Sequence, residues 1–163
     1  MGSARRAVRG MGWGRMRWIS RPVAFAMALA AACSLDPNDP KAMRNLGDEC
    51  VGCHMPGKKA AEWPLTAGGT TYRTATDAAS PGLGGVVIAI TDAKGRVLTL
   101  RSNDAGNFWT NEGLAFPVAV VVQREGSERR RSVEVGPCNS GACNACHTLP
   151  PRNGAPGRLW APY

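Results

Sequence analysis

Two copies of one cysteine and histidine pattern constrain this chain more than any other feature. The first copy is Cys50-Val51-Gly52-Cys53-His54 and the second is Cys143-Asn144-Ala145-Cys146-His147. Together they use both histidines and four of the six cysteines of the 163-residue chain. In the CxxCH pattern of c-type haem attachment, the two thiols form thioethers with the haem vinyl groups and the histidine binds the iron as an axial ligand. The sequence therefore predicts two covalent haem c groups.

Two other uses of these cysteines stay open, and a third alternative is that one of the two motifs is a degenerate relic. Disulfides could staple a small exported domain, although nothing in that arrangement requires a histidine directly after each pair. A zinc site could combine the two CxxC pairs, although the roughly ninety residues between them exceed a local zinc knuckle. Cys138 is left over, as a free thiol or as a partner for Cys33. Haem attachment is the favoured interpretation.

The number of histidines limits the axial ligands. His54 and His147 are each assigned to the haem of their own motif, so a monomer cannot have bis-histidine ligation. Met43 and Met55 are the only methionines after the leader described below. Met55 directly follows His54 and is badly placed to reach the opposite face of the same haem, which leaves Met43 as the candidate thioether ligand. Packing against a haem or the core is the alternative role of Met43. We expect the two haems to differ, with at least one iron open or weakly ligated; a lysine or a partner protein is the alternative source of the missing ligand.

The first 32 residues have the pattern of a secretory signal peptide. They contain six arginines and no acidic residue, followed by an apolar run at 22–32 that is too short to span a bilayer permanently. The run ends at Cys33, and the sequence around it is similar to a bacterial lipobox, with Leu29 four places before the cysteine where the usual motif has three. We expect lipidation at Cys33, a linker at 33–40, and export to the periplasm or outer membrane. Simple signal cleavage is the alternative.

The net charge does not indicate a nucleic-acid partner. The chain carries 20 basic and 12 acidic residues, giving +8. Six of the basic residues lie in the leader, so the remainder carries only about +2 and is close to neutral.

The middle of the chain is predicted to be a small β-sandwich. A short helix is predicted at 41–48, where Asp39 and Pro40 suit a helix start. Short β-branched segments separated by glycine-containing turns follow at the spacing expected of a sandwich. A hairpin is predicted across 92–95, with Gly95 where a positive φ is needed. The predicted strands are 70–74, 86–90, 96–100, 105–110, 116–123 and 129–135.

These segments resemble a known domain. Gly85 to Asp92 (GVVIAITD), Lys94-Gly95 and Asn103 to Phe108 (NDAGNF) resemble the carboxypeptidase regulatory-like, transthyretin-like sandwich over about seventy residues. With the leader and both CxxCH motifs, the chain resembles small exported bacterial dihaem c-type cytochrome lipoproteins. The resemblance implies one-electron transfer with redox partner proteins of the cell envelope, a lipid anchor in the membrane, and no enzymatic activity of its own.

The expected fold class is mainly β, with a small antiparallel β-sandwich flanked by two haem-binding CxxCH segments and a short N-terminal helix. The expected segments are a signal peptide at 1–32, a linker at 33–40, a first haem segment at 41–65, a sandwich at 66–136, and a second haem segment and tail at 137–163. The alternative function is a structural or binding β-sandwich lipoprotein whose cysteines form disulfides.

Overall fold

The strands of the chain form two sheets. The computed structural model describes residues 42–124 and 137–161, which lie within the unit Cys33–Tyr163. The strands are β1 (Ala67–Tyr72), β2 (Val86–Thr91), β3 (Val97–Arg101), β4 (Asn107–Thr110), β5 (Ala119–Arg124), β6 (Gly141–Ala142) and β7 (Leu159–Trp160). The helices are α1 (Cys50–Cys53) and α2 (Cys143–Cys146). In the described ranges, no helix has the length and apolar character needed to cross a membrane.

The two sheets differ in strand direction. In the first sheet the order is β4-β1-β6, with β7 also pairing with β1. Strand β4 is antiparallel to β1, whereas the two-residue strands β6 and β7 run parallel to it. The second sheet has the order β3-β2-β5 and is antiparallel throughout. The predicted β-rich fold is therefore confirmed, and the first sheet is mixed where only antiparallel strands were expected.

The core is formed by side chains from both sheets. Val86, Ile88 and Ile90 alternate with half-buried residues along β2, as expected for a strand with one buried face. They belong to one hydrophobic cluster with Phe108 of β4 and Val122 of β5. Burial of these side chains is the main source of stability in a domain with few aromatic residues.

The predicted hairpin across residues 92–95 is confirmed. Thr91 of β2 pairs with Val97 of β3, and Gly95 in the turn has a φ of 78°. The Asp92 carboxylate accepts hydrogen bonds from the backbone N–H groups of Lys94 and Arg96, which closes the loop. Gly95 thus has the positive φ that the sequence predicted, and Asp92 adds the hydrogen bonds that close the turn.

The predicted helix at 41–48 is wrong. Residues 42–48 form turns, and Lys41 lies outside the described residues. Asn45 and Gly47 have φ values of 61° and 81°, which a right-handed helix cannot contain. The backbone carbonyls of Ala42 and Arg44 accept hydrogen bonds from the side chain of Asn107 and not from a following turn of helix. Contact with Asn107 of β4 therefore decides the conformation of this segment.

Several strand boundaries also differ from prediction. The strand expected at 70–74 lies at 67–72, because Gly68 and Gly69 are part of it although glycine is unfavourable in strands. The strand expected at 105–110 begins at 107, since Gly106 has a φ of 91° in the preceding turn. The one expected at 116–123 lies at 119–124, and the one at 129–135 lies outside the described residues. The two-residue strands β6 and β7 were not predicted.

Ile88 and Val97 give a matched test of the core. Ile88 is 0% exposed and Val97 is 59% exposed. We expect Ile88→Ala to lower the free energy of unfolding by about 2–5 kcal/mol, because it leaves a cavity. Val97→Ala should cost less than about 1 kcal/mol. Denaturant unfolding monitored by circular dichroism measures both, and equal losses would contradict this assignment of the core.

Candidate functional site

Both CxxCH motifs fold into the same local structure. The four residues from cysteine to cysteine form one helical turn in each motif, and the histidine follows as the C-cap. The backbone N–H of His54 donates to the carbonyl of Cys50 at 3.0 Å, and that of His147 donates to the carbonyl of Cys143 at 2.9 Å. Residues three positions apart lie on one face of a helix, so both thiols of each motif can bind a single group.

The first cysteine of each motif has an equivalent contact. The Sγ of Cys50 lies 3.5 Å from the carbonyl oxygen of Asp48, and the Sγ of Cys143 lies 3.5 Å from that of Gly141. In both cases the carbonyl belongs to the residue two positions earlier. The local structure is thus repeated at the thiols as well as in the backbone.

The two histidines are oriented in the same way. Nδ1 of His54 lies 2.8 Å from the backbone carbonyl oxygen of Trp63, and Nδ1 of His147 lies 2.8 Å from that of Gly157. A carbonyl oxygen can only accept a hydrogen bond, so Nδ1 is the protonated nitrogen in each ring. In the neutral imidazole Nε2 then carries the lone pair. Metal-binding histidines commonly have their second nitrogen held in this way.

The surroundings of the two motifs differ in exposure. Cys53 is exposed and His54 is half-buried, and the neighbouring Met55 is 46% exposed. His147 is only 5% exposed. A narrow cavity beside His147 is lined by Val122 of β5 and by residues of the tail, namely Pro156, Arg158, Leu159 and Trp160. The first motif is therefore the more exposed of the two, and the second has the more buried histidine.

Burial changes the acid–base properties of the motif residues. It raises the pKa of Cys143 to about 12, with smaller contributions from neighbouring cysteines. It also raises the pKa of Cys50 to about 11, and the acidic neighbours Glu49 and Asp48 add to that shift. At His147, burial lowers the pKa, although the hydrogen bond to the carbonyl of Gly157 opposes the change. These two thiols and the His147 imidazole are therefore neutral at pH 7 in the haem-free chain.

Two buried polar atoms beside the first motif have no partner in the described ranges. Glu49 caps α1 by accepting from the backbone N–H of Gly52 at 2.6 Å through Oε2, while its Oε1 is buried without a hydrogen bond. The indole Nε1 of Trp63 is also buried without a partner. Trp63 is the residue whose carbonyl orients His54, so an unused N–H donor lies on the residue that positions the histidine.

The other predicted site residues occupy different places. Met43 is half-buried in the turns at 42–48, and the carbonyls on either side of it are held by Asn107. Its ligation of an iron stays a prediction. Cys138 pairs through its backbone with Val118 and packs against the core. Cys33 lies outside the described residues.

The motif cysteines are in neither of the alternative arrangements in the described part of the chain. The five cysteines described there, Cys50, Cys53, Cys138, Cys143 and Cys146, form no disulfide. Those ranges also contain no group of three or more cysteine, histidine or acidic residues placed to bind one metal ion. Each motif has its own pair of cysteines and its own histidine.

Sequence reasoning missed the groups that position the histidines. Trp63 and Gly157 act through backbone carbonyls, which carry no side-chain signal, although each lies nine or ten positions after its histidine. Asn144 occupies one of the two variable positions of the second CxxCH motif, so the motif gives no indication of its role. Comparison with protein-family models, curated proteins and solved structures found no match to the chain.

The cysteines should differ in reactivity in the reduced, haem-free protein. We expect iodoacetamide at pH 8 to modify exposed Cys53 rapidly and Cys143 very slowly, because the thiolate is the reactive form and the raised pKa of Cys143 suppresses it. Peptide mass spectrometry after timed quenching measures both rates, and the same reaction in denaturant serves as the control. Equal rates in the folded protein would contradict the burial of Cys143.

Proposed function

We propose that the protein is an exported dihaem c-type cytochrome that transfers single electrons in the cell envelope. The observation that supports this most strongly is the repeated geometry of the two motifs. Each has two thiols on one helical face and a histidine whose Nδ1 is held by a backbone carbonyl. This combination meets the two requirements of c-type haem attachment, a pair of thioether-forming thiols and an oriented Nε2 ligand.

Each part of a motif has a separate role in this proposal. Cys50 and Cys53 hold one haem covalently, and Cys143 and Cys146 hold the other. His54 and His147 supply the proximal nitrogen, and the carbonyls of Trp63 and Gly157 fix the rotation of each ring. The bound haem supplies an iron that changes between the ferrous and ferric states. The protein controls the potential through the axial ligand and through burial.

The residues around the first motif fit a haem group. The motif is open to solvent on the side of Cys53 and Met55, and the Trp63 N–H is a buried donor without a partner. Haem carries two carboxylates, which are acceptors of the kind that such a donor requires. The exposed side of the motif and the unpartnered indole N–H of Trp63 therefore suit a haem group.

The second motif offers the same two thiols and one histidine nitrogen in a more buried place. His147 is buried beside a narrow cavity lined by the tail, and Cys143, Cys146 and His147 are the residues that would hold a haem there. Such a haem would lie in a less polar environment than one attached at α1. Burial and solvent exposure are among the factors that set haem potentials. We therefore expect the two sites to have unequal potentials.

The resemblance to the carboxypeptidase regulatory-like sandwich belongs to the same proposal. In it, the β-rich body is the support on which the two haem segments are mounted, and redox partner proteins of the envelope exchange electrons with the haems. The competing function is a structural or binding lipoprotein with cysteines paired as disulfides. The equivalent hydrogen bonds of the two histidines favour the cytochrome, because a disulfide staple needs no oriented imidazole.

Haem content per motif tests the proposal. After maturation in a host with c-type haem machinery, we expect a pyridine haemochrome spectrum that gives two haems per chain. The double variants Cys50→Ser with Cys53→Ser and Cys143→Ser with Cys146→Ser should each retain one haem, because each removes one thioether pair. Cys138→Ser is the control and should retain both. Wild-type protein that folds without haem in this host would contradict the proposal.

The lipid anchor is tested separately. We expect wild-type protein in the membrane fraction and Cys33→Ala in the soluble fraction, because the substitution removes the residue that would carry the lipid. Cys138→Ser controls for the loss of a cysteine elsewhere in the chain. A wild-type protein that is fully soluble would show that the anchor is absent and would leave the haem assignment unaffected.

A further inference from the structure

The two cysteine helices approach the same strand at neighbouring glycines. A Cβ atom added to Gly68 would lie 3.4 Å from the Cβ of Cys50, and one added to Gly69 would lie 2.9 Å from the Cβ of Cys143. Successive residues of a strand face opposite sides of a sheet. The helices α1 and α2 therefore contact β1 from its two faces, with only the thickness of the strand between their first cysteines.

This arrangement sets an upper limit on the distance between the attachment points. Consecutive Cα atoms are 3.8 Å apart, and a Cβ atom lies about 1.5 Å from its Cα. Combined with the two contacts at Gly68 and Gly69, these lengths place the Cβ atoms of Cys50 and Cys143 no more than about 13 Å apart.

One buried side chain joins the two motifs. Asn144 of α2 is 4% exposed, and its Nδ2 donates to the carbonyl of Asp48, two residues before the first motif, at 2.8 Å. The same nitrogen lies 3.1 Å from Oγ1 of Thr70, and the Asn144 Oδ1 accepts from the backbone N–H of Thr70 at 3.0 Å. Asn144 thus contacts the central strand and the segment that leads into α1.

Thr70 extends this contact into a larger network. Its hydroxyl donates to Oδ1 of Asn107 at 2.8 Å and accepts from the backbone N–H of Gly47 at 3.1 Å. Asn107 in turn donates to the carbonyls of Ala42 and Arg44. Thr70, Asn107 and Asn144 are all buried. Buried networks whose members are satisfied make a structure rigid, because breaking one bond leaves a polar group without water.

We propose that Asn144 is a positioning residue that, with the close contact between Gly69 and Cys143, holds the two haem attachment helices at a fixed short separation and so couples the redox equilibria of the two sites. The inference rests on the proposed function. Its physical basis is that a charge change at one site alters the energy of a charge change at the other, and that this interaction decreases with distance. Fixing α2 to the segment before α1 fixes that distance.

Redox titration of the haem-loaded protein tests the coupling. The potentials of the wild type are compared with those of the two single-haem variants, Cys50→Ser with Cys53→Ser and Cys143→Ser with Cys146→Ser. We expect the reduction equilibrium constant of each haem to differ by on the order of tenfold between the one-haem and two-haem proteins. Two haems with potentials unchanged from the single-haem variants would overturn the inference while leaving the proposed function intact. Wild-type protein without haem would overturn both.

Asn144→Ala tests the residue itself. We expect it to reduce the tenfold effect to about twofold, with two haems still present, because α2 loses its bonds to Asp48 and Thr70. Asn111→Ala, which changes an exposed asparagine outside the network, should retain the wild-type coupling. Unchanged coupling in Asn144→Ala would show that the residue does not position the helices. If Asn144→Ala carries fewer than two haems, Thr70→Val is measured in its place. We expect coupling reduced to about twofold in that variant, and unchanged coupling would contradict the proposed role of the contact.

The neighbouring glycines supply an independent comparison. Gly69→Ala places a methyl group 2.9 Å from the Cβ of Cys143 and 3.0 Å from Cζ of Phe108, so α2 and β1 must shift relative to each other, whereas Gly68→Ala makes contacts of 3.4 Å or more. We expect Gly69→Ala to change the coupling and Gly68→Ala to leave it within about twofold of the wild type. Equal coupling in the two variants would contradict the close approach at β1.

Discussion

The close approach of both cysteine helices to one buried strand is the constraint on which the rest of the structure depends. All six residues of β1 are buried, and this strand pairs with β4, β6 and β7. Its two glycines leave room for Cys50 on one face and Cys143 on the other, and its Thr70 organises the buried amides. Glycine weakens a strand in general, because it has no side chain to pack. Here the space is filled by the helices, so the loss of packing in β1 is offset by contacts with the two motifs.

Equivalent hydrogen bonds orient the two histidines of this framework and make both of them candidate metal ligands. Each imidazole is held at Nδ1 by a carbonyl from the loop or tail that follows its motif, so ring orientation depends on segments outside the motif itself. The same hydrogen bond thus holds one histidine that is half-buried and one that is buried. We therefore propose two sites that share the same kind of proximal ligand and differ in burial.

Much of the fold could be predicted from the sequence, and the errors have physical causes. Alternating residues in β2 and the turn at Gly95 identified the β2–β3 hairpin, since local patterns determine both. The helix expected at 41–48 does not form, because Asn107, some sixty positions later, binds the carbonyls that a helix would use. The pattern of cysteines and histidines identified the candidate site residues. Their partners could not be predicted, because backbone carbonyls have no sequence signal and the role of Asn144 depends on the tertiary contact with β1.

We propose that both CxxCH motifs carry covalent haem. Mass spectrometry of the mature protein under denaturing conditions tests this most directly, because thioether bonds survive denaturation and non-covalent binding does not. We expect the mass of the chain plus two haem groups, with proteolytic fragments placing one on Cys50–Cys53 and one on Cys143–Cys146. A mass explained by the chain and its disulfides alone, from a host with working haem-attachment machinery, would contradict it.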